Sequence, residues 1–477
     1  MPQLIARIVE AKVSMTERSF NLVVPLAHEA TDMRNEETVR QRAEGSSAVS
    51  QLIGASLRLG DVDSTISPAG PGTRTSTTAT RTTTIRTTSC RPVPSADWNE
   101  EDGFTFAELF EAYFDCRRTK RNTSSALAFE MHLERNLREL YDQLKDGSYR
   151  PGRSKCFVIT RPKAREVWAA TFPDRVVQHL LYRRIGRRFE KSFIADSCAC
   201  IKGRGTLYGS RRLEAKIRSV TQNWSRKAYY LKCDVANFFV SIPKPLLLEL
   251  FLRKIQEPFW RWLTEIVLMH DPREDFDYLG DPALMARVPP HKRLLEQLRY
   301  LGLAIGNLIS QFAANVLLDV LDQFVKHGLR VRHYIRYVDD FIFLDESPTR
   351  LNEILAEVTA FLPKCLGIQL NPSKTILQPV DRGVDFVGQV IKPWSRSTRR
   401  RTVNEALRRV AEVDEADFLP VANSYFGLLR QASSSHHDSA RLGNAVRDRG
   451  HAVNRALTKT YRGSHVTNEF GVSFETT

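Results

Sequence analysis

No apolar run in this 477-residue chain approaches the roughly 18 residues that a membrane span requires. The opening stretch, Met1–Ser19, lacks the long apolar core of a secretory signal. The chain therefore reads as cytoplasmic, with no membrane partner. Cysteine is scarce: seven residues, an odd number and scattered, which argues against a disulfide framework. Cys198-Ala-Cys200 has no second ligand pair at zinc-like spacing and reads as packing, and His436-His437 sits in a Ser-rich loop without metal-binding company. Apolar residues almost vanish between Gly72 and Ser89, where Thr, Ser and Arg dominate. Such a segment offers too little apolar surface to offset the entropy of ordering, so residues 1–96 are expected to form a low-complexity, disordered extension. It reads as a plain linker or as an arm whose arginines brush nucleic acid. No Walker-type phosphate loop is present: Ser197–Thr206 has two glycines and two cations ahead of a helix, but at the wrong spacing.

What is abundant is positive charge. Lys and Arg number 70 against 55 Asp and Glu, a net charge of +15 and a pI near 9.6. That balance suits a polyanionic partner. An anionic membrane surface fits less well, since no lipidation signal or amphipathic anchor stands out. The spacing predicts amphipathic helices over Phe104–Cys116 and Ser124–Leu144. Cys156–Ala170 reads as two strands joined by a basic, Pro-containing turn, and residues 270–300 as a polar insertion to which no chemistry is assigned.

Two acidic stretches carry the chemistry. Arg332–Leu344 contains two β-prone runs, Tyr334–Val338 and Phe341–Leu344, around adjacent carboxylates Asp339 and Asp340. This predicts a hairpin with acids at its tip. Paired Asp also occur in ordinary surface turns, but charges inside so apolar a segment are costly unless paired or metal-bound. Asp234 interrupts a second β-prone run, Tyr229–Ile242, with a helix signal at Pro243–Phe251. Hard oxygen ligands brought together on a rigid support would suit metal-assisted phosphoryl transfer. Asp234 and Asp339 can meet only through tertiary structure.

Asp234-Val-Ala-Asn-Phe-Phe-Val-Ser-Ile242 and Tyr337-Val338-Asp339-Asp340, in this order and at this separation, resemble the first catalytic motif and the Tyr-x-Asp-Asp box of reverse transcriptases. The resemblance covers about residues 97–460. It implies an α+β right-hand polymerase with fingers, a palm of antiparallel sheet plus helices, and a helical thumb. Residues 97–228 would supply N-terminal helices and fingers. Residues 229–392 would form the palm, with a fingers insertion at about 270–315; residues 393–465 the thumb; and 466–477 a tail.

The resemblance also implies an RNA-directed DNA polymerase, a nucleotidyltransferase that extends a primer with dNTPs by two-metal phosphoryl transfer. Asp234, Asp339, Asp340 and the Val235 carbonyl would hold two Mg²⁺ ions, Mn²⁺ being the alternative. Arg165 is the positional match to the fingers arginine that meets the incoming nucleotide, with Lys163 and Arg161 as lesser candidates. Lys374, in Gln369–Thr375, matches the lysine of the fourth motif, which holds the triphosphate or protonates the leaving pyrophosphate. Phe239 would crowd the sugar 2′ position. Gly306 and Gln311 belong to a further nucleotide- or template-facing motif. Lys202 and Arg204 would position template phosphates, and Arg399, Arg400 and Arg401 would track a duplex backbone.

Most reverse transcriptases carry Gln-Gly…Ser-Pro where this chain has Ile305-Gly306…Ser310-Gln311. That departure resembles the enzymes of diversity-generating retroelements and some related bacterial groups. The partners expected are an RNA template, a DNA or RNA primer, dNTPs and a small accessory helical protein. Two other readings stay open: a phage-defence enzyme making templated or untemplated DNA, and a catalytically inactive RNA-binding scaffold. The presence of all three carboxylates speaks against the scaffold.

Overall fold

The structure, a computed structural model, describes residues 103–462 apart from 119, 121 and 162. The expectations for the N-terminal extension and the C-terminal tail lie outside the described residues. In chain order the main elements are helices α1 (Phe106–Arg117), α2 (Ser124–Glu130) and α3 (Leu133–Lys145), strands β1 (Ser154–Ile159) and β2 (Arg165–Ala169), and helices α4 (Phe172–Glu190) and α5 (Thr206–Val220). Strand β3 (Tyr229–Asp234), helices α6 (Lys244–Leu252) and α7 (Pro258–Met269), strand β4 (Phe276–Leu279) and helix α8 (Leu308–Gln323) follow. Then come β5 (Tyr334–Tyr337), β6 (Asp340–Asp345), α9 (Pro348–Phe361), β7 (Ile376–Pro379), β8 (Val384–Phe386), β9 (Gln389–Lys392) and β10 (Ser395–Thr398). Helices α10 (Arg400–Glu412), α11 (Glu415–Leu429) and α12 (His436–Arg447) follow, and a short antiparallel pair, Ala452–Val453 with Thr460–Tyr461, comes after them.

Helix α1 starts at a reciprocal cap. Glu108 N donates to Thr105 Oγ1 at 3.2 Å, and Thr105 N donates to Glu108 Oε2 at 2.8 Å, so two otherwise orphaned amides are satisfied. The single helix expected over Ser124–Leu144 is broken into α2 and α3 at Met131–His132. Tertiary anchoring overrides the continuous periodicity. Glu130 is held by Tyr113 Oη at 3.0 Å and Arg117 Nη2 at 3.1 Å, and Phe129 packs on Phe172 with ring centres 5.1 Å apart. Asn136 Nδ2 then caps the break by donating to Phe129 O at 2.9 Å.

The central sheet has the order β5-β6-β3-β7, antiparallel throughout. Its apolar runs are continuous because both faces are covered. Leu231, Cys233, Tyr334, Phe341 and Phe343 point into the larger core, with Leu351, Ile354 and Val358 of α9. The alternate residues Tyr230, Ile335, Ile342 and Leu344 join Leu213 and Ile217 of α5. Period-two alternation along each strand thus divides one sheet between two cores.

The polar insertion at 270–300 is structural. Its strand β4 pairs parallel to β1, beside the antiparallel β1–β2 hairpin. The buried Glu166 carboxylate accepts from Leu294 N and Trp168 Nε1, both at 2.7 Å, and so pins the insertion to β2. A third sheet, β10-β9-β8, leads into α10–α12, whose shared core includes Val403, Phe418, Phe426 and Leu442.

One helical stretch corrects the reading that no apolar run is long enough for a membrane. Leu308–Gly328 is long and apolar enough to cross one, but 72% of its most apolar window is buried inside the fold. It is the core helix. Asn315 and Asp322, both buried, mark the side that faces the central sheet. There Arg336 of β5 is wholly inaccessible, as is Asp322, and the two form a double hydrogen bond of 2.8 and 2.6 Å. Arg336 also donates to Asn315 Oδ1 at 3.1 Å and Ser197 Oγ at 3.0 Å, while Tyr334 Oη donates to Asp322 Oδ1 at 2.8 Å. With every partner in place the pair is satisfied. Removing one partner leaves an uncompensated charge in the core. Arg336→Met is therefore expected to lower unfolding free energy by about 3–5 kcal/mol. The double change Arg336→Met/Asp322→Leu should cost distinctly less than the sum of the two single changes, as read by denaturant titration of all four proteins.

Candidate active site

The register of β3 against β6 sets Asp234 directly opposite Asp340. Residues opposed across an antiparallel pair project from the same face with Cβ atoms about 5 Å apart. Strand β5 pairs Tyr337 with Asp340, which leaves Val338 and Asp339 as a two-residue loop. The expected hairpin with acids at its tip is present, and Asp234, Asp339 and Asp340 come together from two strands and a turn. Val338 has φ +54°, a conformation a β-branched residue rarely adopts. Arg336 Nη1 donates to Val338 O at 3.1 Å, so the buried ion pair beneath the sheet also braces this turn.

The carboxylates are electrostatically crowded. Asp339 is pushed up to about 6, first by burial, then by the Asp234 carboxylate and by Asp340. Burial also raises Asp340, against the pull of the Lys232 ammonium. Two lysines answer this charge. Lys374 Nζ lies 2.6 Å from Asp234 Oδ2, and Lys232 Nζ lies 2.9 Å from Asp340 Oδ2. The remaining oxygen of Asp340, Oδ1, is buried with no hydrogen-bond partner.

Among the described residues no three His, Cys, Asp or Glu side chains are closed around a metal position as they stand. The donor set nonetheless fits hard divalent cations. It offers anionic oxygens only, one of them orphaned and buried, on a site whose carboxylates repel one another. Val235, whose carbonyl the sequence reading adds to the ligands, is fixed in place. Its side chain is buried, it forms a bridge to Leu370, and the flanking amides tie down as Ala236 N to Gln369 O and Asn371 N to Asp234 O, each at 2.8 Å.

Other candidates fall in several places. Lys374 is at the carboxylates. Phe239 is half-buried beside Phe238 in the short helix Phe238–Ser241 that follows β3, and its carbonyl accepts from Leu303 N at 2.7 Å. Lys163 and Arg165 are exposed on the β1–β2 hairpin. Gln311 lies in the first turn of α8, where Cys200 Sγ donates to its Oε1 at 3.5 Å, and Lys202 is exposed in the neighbouring loop. Arg400 and Arg401 are exposed at the start of α10.

Three of the candidates also make structural contacts. Gly306 was expected to let backbone approach a ligand. A Cβ there would instead lie 2.9 Å from Trp168 O, and Trp168 N donates to Ile305 O at 2.8 Å, so its close approach is to β2. Arg204 was expected to meet phosphate. Its Nη1 is committed to Ile194 O and Ser197 O at 2.7 and 2.8 Å, where it shapes the loop. Arg399 is likewise ion-paired, with the Asp385 carboxylate.

Sequence reasoning missed Arg336, Asp322 and Lys232. A signal existed for each. A cation within a β-prone run needs a buried acid, an acid in an apolar helix needs a cation, and a lysine two residues before Asp234 shares its face.

Residues 160–391 match the family described as reverse transcriptase (RNA-dependent DNA polymerase). Over these residues, just under half of the chain, the sequence is similar to RNA-dependent DNA polymerases. Solved structures similar to it include telomerase from Candida albicans in complex with a fragment of telomeric RNA, at 10% identity and a TM-score of 0.39 over 62% of this chain. Another is apo telomerase from Candida tropicalis truncated from its C-terminal domain, at 12% identity and a TM-score of 0.38 over 52% of this chain. The chain spans 55% of the length of each. No curated protein sequence matches it.

The raised Asp339 gives a pH signature. Its folded-state value of about 6 lies above the ordinary carboxylate value of about 4, so the folded protein binds more protons than the unfolded one between these limits. Stability from this group is full below about pH 4 and is lost as pH rises through about 6. Asp339→Asn, compared with the parent in EDTA, should therefore be the more stable protein at pH 7.5, by on the order of 1 kcal/mol after solvent screening. That advantage should shrink toward zero near pH 4, as checked by urea unfolding at both pH values.

Proposed function

We propose that the chain extends a DNA or RNA primer with deoxynucleotides on an RNA template. The observation that carries this reading is the direct opposition of Asp234 and Asp340 across β3 and β6, with Asp339 in the adjoining turn. The three carboxylates would hold two Mg²⁺ ions, with Mn²⁺ as the alternative. When bound, such ions lower the pKa of the attacking primer hydroxyl and stabilise charge at the transferring phosphorus.

The chain's own residues supply position and charge. Lys374 reaches Asp234 through a side chain that is 51% exposed, so its ammonium can swing to a triphosphate with little backbone adjustment. Arg165 and Lys163 would close over the same phosphates from the β1–β2 hairpin. Phe239, in the short helix just past Asp234, would exclude a ribose 2′-hydroxyl. Arg400 and Arg401 are placed at the positive end of α10, where cations are unfavourable unless an anion is present. A nucleic-acid backbone would relieve that repulsion.

In this reading β1, β2 and β4 belong to fingers at 97–228 with the insertion at about 270–315, the central sheet to a palm at 229–392, and α10–α12 to a thumb at 393–465. The Ile305-Gly306…Ser310-Gln311 departure supports a bacterial enzyme of a diversity-generating retroelement, for which a cytoplasmic location and a small accessory helical protein are part of the proposal.

Primer extension on an RNA template tests the proposal. Asp339→Asn should lower dNTP incorporation by at least about 10³-fold while leaving RNA affinity within about 2-fold of the parent. Extension at the parent's rate would remove the catalytic assignment. Phe239→Ala should raise ribonucleotide incorporation relative to deoxynucleotide by about 10-fold or more, and an unchanged ratio would take Phe239 out of the gate.

A further inference from the structure

Lys232 precedes Asp234 by two residues on β3, so both side chains leave the sheet on one face. Its ammonium is held twice. It sits 2.9 Å from Asp340 Oδ2 and donates to Asp385 O, also at 2.9 Å. Only 16% of its side chain is exposed, against 51% for Lys374. The two lysines of the site therefore differ in kind. Lys374 reaches Asp234 from solvent by one contact, whereas Lys232 is fastened at both ends inside the fold.

The consequence for Asp340 is geometric. Its Oδ2 is taken by Lys232, while Oδ1 is buried and without a partner. One anchored oxygen leaves the other presented in a fixed direction. The consequence for the rest of the chain follows from Asp385. It lies on β8, and its carboxylate is ion-paired with Arg399. Arg399 N donates to Gly388 O at 3.1 Å, and the residue immediately precedes α10. One run of charge-assisted hydrogen bonds thus goes from Asp340 through Lys232 to the Asp385 peptide. From the Asp385 carboxylate it continues through Arg399 to the head of the C-terminal helices.

We infer that Lys232 is a positioning residue. It fixes Asp340 with one oxygen on its ammonium and the other presented to the reacting groups, and it couples that carboxylate to sheet β8–β10 and, through Arg399, to α10. The inference rests on the catalytic reading of Asp340 given above.

The test uses the full chain as parent, Lys232→Met and Lys232→Arg. Single-nucleotide primer extension gives kcat and the dNTP KM. Amide hydrogen exchange over Val384–Thr398, without divalent ions, gives a readout independent of activity. Lys232→Met should lower kcat by about 10–100-fold, the usual cost of losing an outer support of a ligand. The dNTP KM should stay within about 3-fold, since what is lost is alignment and not nucleotide binding. Lys232→Arg, which can still bridge a carboxylate and a carbonyl, should recover most of the rate. Exchange over β8–β10 should quicken in Lys232→Met alone. Should that variant fail to fold, Lys232→Gln is read the same way. A parent-like kcat in Lys232→Met or Lys232→Gln, or unchanged exchange over Val384–Thr398, overturns the inference. A parent that folds and binds RNA but incorporates nothing removes the catalytic reading instead, and the exchange measurement then decides the coupling by itself.

Discussion

The Arg336–Asp322 ion pair is the constraint on which the site depends. Both side chains are wholly buried, and the guanidinium reaches four groups besides its own strand: Asp322 and Asn315 on α8, Ser197 in the loop before α5, and the Val338 carbonyl in the turn that carries Asp339. A buried charge is tolerable only when every donor is used, and here the required partners come from three separate parts of the chain. Satisfying that one cation therefore fixes the core helix, the loop and the turn relative to one another. The same loop is held from outside, where Asp196 pairs with Arg212 at 2.6 Å and Lys216 at 2.7 Å.

Rigidity of this kind is what a cluster of carboxylates needs. Burial first, and then the nearby Asp234 carboxylate, raise the proton affinity of Asp339 and Asp340, and the three acids would relax apart if the backbone allowed it. The sheet does not allow it: β3 and β6 are paired over six residues and buried on both faces. The left-handed Val338 is a second local cost, held by its neighbours. Repulsion and strain are concentrated where charge is to be handled, while the stabilising burial lies in the layers above and below. That arrangement is the expected signature of a functional site.

Much of this was readable in the linear chain. The β-prone runs around Asp339 and Asp340, the run ending at Asp234, and the helix signal after it all correspond to observed elements. So does Lys374, which the structure sets against Asp234. These features are local: apolar side chains in β-prone runs and a helix's start signals operate over a few residues. What failed was non-local. The stripe from Ala126 to Leu144 looks continuous, yet Glu130 and Phe129 are claimed by α1 and α4, and the helix breaks. The 270–300 segment has no strand pattern of its own and becomes β4 because β1 offers a free edge. Gly306 packs close to Trp168 of β2, a neighbour that its place before a helix does not reveal. Arg204 donates to the Ile194 and Ser197 carbonyls and Arg399 pairs with Asp385, contacts that no local pattern marks.

The amino-acid sequence alone determined which residues are candidates for chemistry: three acids in β-prone settings, a basic hairpin, and an overall positive charge. It determined the elements beneath them, because alternation and capping are short-range. Only the tertiary structure decided that Asp234 stands opposite Asp340, that Arg336 finds Asp322, and that Lys232 joins Asp340 to β8. Each of these depends on strand register and on which groups are buried together. A period-two pattern fixes the face a side chain takes, but it leaves open which strand, and which residue on it, lies across.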